Sequence, residues 1–187
     1  MEVMFTPIDG VLMLQPQRHG DARGYFSEVW QCERFDAAVG HHVEWVQDNE
    51  SLSQAGVLRG LHFQRGSASQ GKLVRVVAGR VMDVVVDLRK ESPSFGRHVA
   101  VMLDDASGVQ LWVPRGFAHG FAVIDGPARF LYKVDNVYNR DAEATLRFDD
   151  PALGIRWPDT DSRLLSPKDL QGLTLAALIE QNILPDA

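Results

Sequence analysis

Residues 72–88 read KLVRVVAGRVMDVVVDL, two runs dominated by β-branched side chains on either side of Gly79-Arg80. Valine packs well on a pleated strand and loses χ1 freedom in a helix, so both runs favour strands. Glycine at the junction supplies the positive φ that a tight reversal needs, and the stretch predicts a β-hairpin turning at Gly79-Arg80. Downstream, HVAVMLDD, VQLWVP, HGFAVI and ARFLYKVDNVY repeat the pattern, each bounded by Gly, Pro or Asp. Many short strands at regular spacing predict an antiparallel sandwich or barrel. ERFDAAV and SPKDLQGLTLAALIEQ are the helical candidates, the second interrupted by Gly172. The expected fold class is mostly β with a few short helices. It forms a single domain over 1–187, with an N-terminal segment 1–50, a barrel core 51–140 and a C-terminal segment 141–187.

The chain has 187 residues and 45% hydrophobic content, enough for one sizeable core. A net charge of −6 and a pI of 5.4 argue against a general nucleic-acid surface, which needs clustered positive charge. A local basic pocket for one phosphate ligand stays open. The single cysteine, Cys32, excludes an internal disulfide and fits a reducing compartment. It lies in QCERFDAAV with no histidine close in sequence and reads as a packing residue. The start MEVMFTPIDGVLML has an early acid and no basic lead, so a signal peptide is not expected. No apolar run approaches the ~20 residues that span a bilayer. A cytoplasmic protein with no membrane or nucleic-acid partner is expected.

Period-two alternation places Ala128, Phe130, Tyr132 and Val134 on one strand face, which aims Tyr132 inward. A core tyrosine bonded to backbone and a working tyrosine both fit that position. His119, in PRGFAHGFAVI, shares a face with Phe121 and Val123 and carries the same two readings. In GVLRGLHFQRGSASQGKLVRV (56–76), strict alternation puts Arg59 and His62 on opposite faces unless Gly60 marks a bulge. Both pointing inward would place a guanidinium and an imidazole in one apolar cavity, costly without a ligand or paired acids. RGYFSEVW and WVQDNESLS offer Arg23, Glu28, Gln47, Asp48 and Asn49, which read as solvated turns and strand ends unless they converge on His62.

RGLHFQ followed by PRGFAH resembles the two motifs of cupin barrels. Metal-binding cupins carry a His-x-His pair in the first motif. Here Gln64 stands two residues after His62 and Lys72 is a cation, so only His62 and His119 remain as ligands. Three protein ligands are the minimum for zinc, and no metal site is expected there.

The chain further resembles the dTDP-4-dehydrorhamnose 3,5-epimerases. The motifs are DARGYFSE, QDNESLSQAGVLRGLHFQ, QGKLVRVVAGRVMDVVVDLRKESPSFG, LWVPRGFAHGF, LYKVDNVYNRDAE and LLSPKD, in order over nearly the whole length. The resemblance implies a cupin-type jelly roll, a homodimer whose N-terminal segment completes the partner's site, and no metal or other cofactor. It implies epimerisation at C3 and C5 of dTDP-4-keto-6-deoxy-D-glucose to dTDP-4-keto-L-rhamnose, toward lipopolysaccharide O-antigen. The general base falls on His62 with Asp169 orienting it, the general acid on Tyr132, and the donor to the keto oxygen on Lys72. Substrate contacts fall on Arg23, Gln47, Asp48, Asn49, Arg59, His119, Glu143 and Lys168, with Glu28 supplied across the dimer and Tyr138 stacking on thymine. The sequence departs from the family in LHF, where tyrosine is commoner after the histidine, and in the loop RGSASQGK. Three rival functions stand beside this one: a single-site 3- or 5-epimerase of a related sugar, a nucleotide-sugar-binding cupin without turnover, and a metal-dependent cupin enzyme.

Overall fold

The computed structural model describes residues 1–158 and 164–186. Eleven strands dominate it: β1 (Glu2–Phe5), β2 (Leu12–Gln15), β3 (Arg18–Asp21), β4 (Gly24–Ser27), β5 (Gln47–Ser53), β6 (Leu58–Gln64), β7 (Lys72–Asp87), β8 (His98–Asp104), β9 (Gln110–Val113), β10 (Phe117–Val134) and β11 (Glu143–Thr145). Three short helices accompany them: α1 (Cys32–Val39), α2 (Pro167–Leu170) and α3 (Leu175–Glu180). Gly172 separates α2 from α3, as the interrupted pattern predicted.

The hairpin expected at Gly79-Arg80 does not form. Residues 72–87 are one strand, because both halves pair antiparallel with β10 and not with each other: Lys72 lies opposite Val134 and Val86 opposite Ala118. Gly79 (φ 78°) bends the strand. A Cβ there would lie 2.5 Å from the Asp125 carbonyl oxygen, so only glycine lets the bend close against β10. HGFAVI and ARFLYKV likewise belong to the single bent strand β10, with register shifts between Val123 and Phe130.

These two bent strands create the jelly roll, since each serves both walls. The second half of β7 and the first half of β10 build one wall with β8, β6 and β11. The other halves build the opposite wall with β9, β2, β1 and β5. Val74, Val76, Leu111 and Phe130 from one wall meet Val81, Val85, Leu103 and Phe121 from the other in the main core. Alternate residues face outward and are buried a second time. Leu73 and Trp112 pack beneath Phe35 of α1, while Val84 and Val86 pack beneath Leu178 of α3. Burial on both faces is why β7 reads as a nearly unbroken apolar run. Among the described residues, no helix is long and apolar enough to cross a membrane.

Candidate active site

β6 settles the orientation that alternation left open. His62 lies opposite His119 and Arg59 opposite Phe121, so three steps along β6 face two along β10. That is a bulge at Gly60-Leu61, and it brings Arg59 and His62 to the same inner face. Gly60 has φ 124°, and a Cβ on it would lie 2.6 Å from Gly120 Cα. The two glycines thus let the backbones meet where the bulge forms.

His62 Nε2 lies 2.6 Å from Asp169 Oδ1. Asp169 is 2% exposed and sits in the first turn of α2. Its Oδ2 accepts from the Ser166 hydroxyl (2.6 Å) and amide (3.3 Å), the Asp169 amide donates back to Ser166 Oγ (3.2 Å) to complete a capping box, and Oδ1 also accepts from the Gly60 amide (3.2 Å). The helix cap therefore aims the carboxylate. A carboxylate can only accept, so the imidazole proton sits on Nε2 and the lone pair on Nδ1. Burial raises the Asp169 pKa, but the bonds from His62 and Ser166 outweigh it and hold the group below the usual carboxylate range.

His62, Lys72 and Tyr132 face one cavity of ≈ 260 Å³, ringed by Gln47, Asn49, Tyr138 and Glu143. Burial pushes the His62 pKa down, Lys168 and Lys72 push the same way, and Asp169 opposes them. Burial lowers Lys72 to about 8, against attraction from Asp83 and Glu143. Tyr132 is raised by burial and by Glu143, and lowered by Arg59, whose charge reaches the phenol. The inward direction of Tyr132 agrees with the alternation: Ala128, Phe130 and Val134 on its face are all buried.

Chains of polar contacts build the rim. The Gln47 side-chain amide donates to Asn49 Oδ1 (2.7 Å) and its Oε1 accepts from the Tyr138 amide (3.3 Å). The Tyr138 hydroxyl donates to Glu143 Oε2 (3.0 Å), and Lys168 pairs with Glu143 Oε1. Burial raises the Glu143 pKa, yet the Lys168 bond and charge bring it below its ordinary value. Gln64, barred above as a ligand, is spent on structure: it donates to the Ala68 carbonyl and accepts from the Asn139 amide. Arg59 Nε donates to Ser53 Oγ (2.9 Å).

Three expected contacts lie elsewhere. Asp48 is on the outer face of β5, where its oxygens accept from Lys133 Nζ at 2.9 and 3.0 Å. Arg23 pairs with Asp21 inside the β3–β4 hairpin, and Glu28 accepts from Arg34. None of the three lines the cavity of its own chain, and the expected contacts Arg59, His119 and Lys168 are not among its lining residues either.

One residue escaped the sequence reading. Asp83 is fully buried, and both its oxygens lie 2.9 Å from His119 Nε2. This makes a second histidine–aspartate pair beside the first, with His119 only 7% exposed. The available signal was a carboxylate interrupting VMDVVVD, since an acid inside a buried strand is rare unless paired.

The fold is a cupin-type jelly roll, and its cavity gathers a tyrosine, a lysine and a histidine paired with a buried aspartate. The comparisons give the particular family. Residues 5–177 match the family model described as dTDP-4-dehydrorhamnose 3,5-epimerase. The dTDP-4-dehydrorhamnose 3,5-epimerase of Salmonella typhimurium is 47% identical over 186 residues, 100% of each chain. The crystal structure of the Legionella pneumophila dTDP-6-deoxy-D-glucose-3,5-epimerase in complex with dTDP-4-keto-L-rhamnose is 44% identical, with TM-score 0.93 over 100% of this chain and 98% of that one. A 3'-monoepimerase from Streptomyces bikiniensis, in complex with dTDP-quinovose, is 34% identical, with TM-score 0.90 over 96% and 91% of the two chains. The chain belongs to the dTDP-4-dehydrorhamnose 3,5-epimerase family, and it is an isomerase.

Proposed function

We propose that His62 and Tyr132 carry out epimerisation at C3 and C5 of dTDP-4-keto-6-deoxy-D-glucose, giving dTDP-4-keto-L-rhamnose. The observation that carries this reading is the pairing of His62 with Asp169 in the cavity that Tyr132 and Lys72 also line. The C4 ketone acidifies the C–H bonds at C3 and C5, because the resulting carbanion delocalises as an enolate. His62 takes the proton, and Asp169 stabilises the imidazolium that forms. Lys72 donates to the oxygen on which charge develops. Tyr132 then returns a proton on the opposite face of the ring, and solvent takes the proton from His62 and reprotonates Tyr132 before the second carbon reacts. Electrons and atoms balance with no oxidant, reductant or hydrolytic water, so no cofactor is needed. Arg59, His119, Gln47, Asn49, Glu143 and Lys168 serve the nucleotide sugar, with Tyr138 against the base.

Arg23 and Glu28 act in the partner's site of a homodimer working in the cytoplasm. Support comes from the β3–β4 hairpin, which presents Tyr25 and Phe26 at 61% and 70% exposure, with Arg23 beside them. Aromatics so exposed on a hairpin fit an interface with a second copy.

The test incubates the chain with dTDP-4-keto-6-deoxy-D-glucose in deuterated water and follows C3 and C5 by NMR. Deuterium at both carbons, with rhamno product, supports the double epimerase. Label at one carbon would support the single-site reading, the activity named for the Streptomyces bikiniensis relative. Binding without label at either carbon would overturn both.

A further inference from the structure

Cys32, Asp36 and His42 lie away from the cavity, on helix α1 and just beyond it. Cys32 and Asp36 are four residues apart, so their side chains stand over the same helix face. Gly40 closes the helix in the left-handed conformation (φ 83°), with its amide bonded to the Asp36 carbonyl. The chain then doubles back, and His42 returns over that face. Asp36 Oδ2 is 3.6 Å from the Cys32 sulfur and 2.6 Å from His42 Nδ1. All three donor atoms fall within 4.8 Å of one another. The other carboxylate oxygen, Oδ1, accepts from the Val43 amide at 3.2 Å, which fixes the direction of Oδ2. Phe35 and Val43 are buried and anchor the helix and the returning segment in one apolar cluster.

We propose that Cys32, Asp36 and His42 bind one zinc ion, with water as the fourth ligand. Thiolate, carboxylate and imidazole are the donors zinc takes, whereas calcium and magnesium require oxygen sets. Bonds of ~2.0–2.3 Å place tetrahedral donors ~3.3–3.8 Å apart. The Cys32–Asp36 spacing already meets this. Only the His42 ring must move outward, and its side chain is 70% exposed and free to do so. The Val43 amide supplies the supporting bond that metal-bound carboxylates ordinarily have. Zinc binds the thiolate and so releases the thiol proton, and binding weakens as pH falls.

Tag-free, reduced, chelator-treated protein titrated with cobalt(II) tests the site. One equivalent should produce a thiolate-to-cobalt charge-transfer band in the near ultraviolet together with tetrahedral visible bands, and zinc should bleach both. Cys32→Ser should remove the charge-transfer band, and His42→Ala should weaken zinc binding by roughly tenfold or more. Zinc should raise the melting temperature of the wild type and not of the Cys32→Ser variant. Absence of the band at one equivalent, or cobalt and zinc binding unchanged in both variants, would overturn the proposal.

Discussion

His62 loses basicity to burial and to the cations Lys168 and Lys72, and recovers part of it from Asp169. A base must be neutral to accept a proton, so a pKa below the ordinary 6.5 keeps His62 competent through neutral pH. Lys72 must be charged to donate to the enolate oxygen, and it titrates at about 8. kcat/KM should therefore be bell-shaped, with an acid limb below 6.5 and an alkaline limb near 8. Asp83 raises the Lys72 pKa by its charge. Asp83→Asn should then shift the alkaline limb to lower pH and reduce kcat/KM, whereas loss of packing alone would leave that limb in place. Lys72 also lowers stability. Its pKa falls from 10.5 unfolded to about 8 folded, so between those values the unfolded chain binds more protons and stability rises with pH. Below 8 the penalty is present in full. Lys72→Met should abolish turnover and stabilise the fold by about 1–3 kcal/mol at pH 7, read from the urea midpoint. Tyr132→Phe separates the two proton transfers. His62 should still exchange substrate hydrogen for deuterium with retention, while inversion falls by ~10²–10⁴-fold.

At the level of strands, the bulge in β6 depends on two glycines in contact. A Cβ at Gly120 would meet the Arg59 carbonyl oxygen at 2.6 Å and Gly60 Cα at 3.0 Å, backbone atoms that have no rotamer to escape into. Gly120→Ala should cost about 3 kcal/mol or more, and it should lower kcat further than a surface glycine change, because the bulge also aims His62 and Arg59. Circular dichroism melts and steady-state kinetics on one preparation check both. The same strands show what a sequence can tell. Alternation gave the inward face of Tyr132 directly, because nothing interrupts residues 128–134. Gly79 was visible as a breaking point, but a hairpin and a bent strand both want a glycine with positive φ there. The choice lies in whether the halves pair with each other or with β10, and local pattern carries no record of a distant partner. Asp83 was hidden for a related reason: its meaning depends on His119, 36 residues away. The pairing of His62 with Asp169 spans 107 residues and came from family resemblance alone.

For the molecule as a whole, the charge distribution matters most at the substrate's phosphates. Lys168 is committed to Glu143 at the rim, while Lys72, inside the cavity, sits near the proposed keto oxygen. Arg59 is exposed, and one guanidinium is a thin counterion set for a pyrophosphate. Arg23 is the natural second donor, yet in its own chain it lies on the β3–β4 hairpin and pairs with Asp21 among the described residues, in an exposed contact of little strength. In the proposed homodimer, a second copy seating this hairpin over the cavity would supply the missing cation and cover Tyr25 and Phe26 together. If so, the His62 and Arg23 functions of one site come from different chains. Arg23→Ala and His62→Ala homodimers should each be nearly inactive. Mixing, unfolding and refolding the two variants at equal amounts makes half the dimers hybrid, each with one doubly substituted and one intact site. Activity should recover to about a quarter of wild type. Recovery would place Arg23 in the partner's site, whereas a mixture no more active than its components would return Arg23 to its own chain and remove the reason for the exposed hairpin.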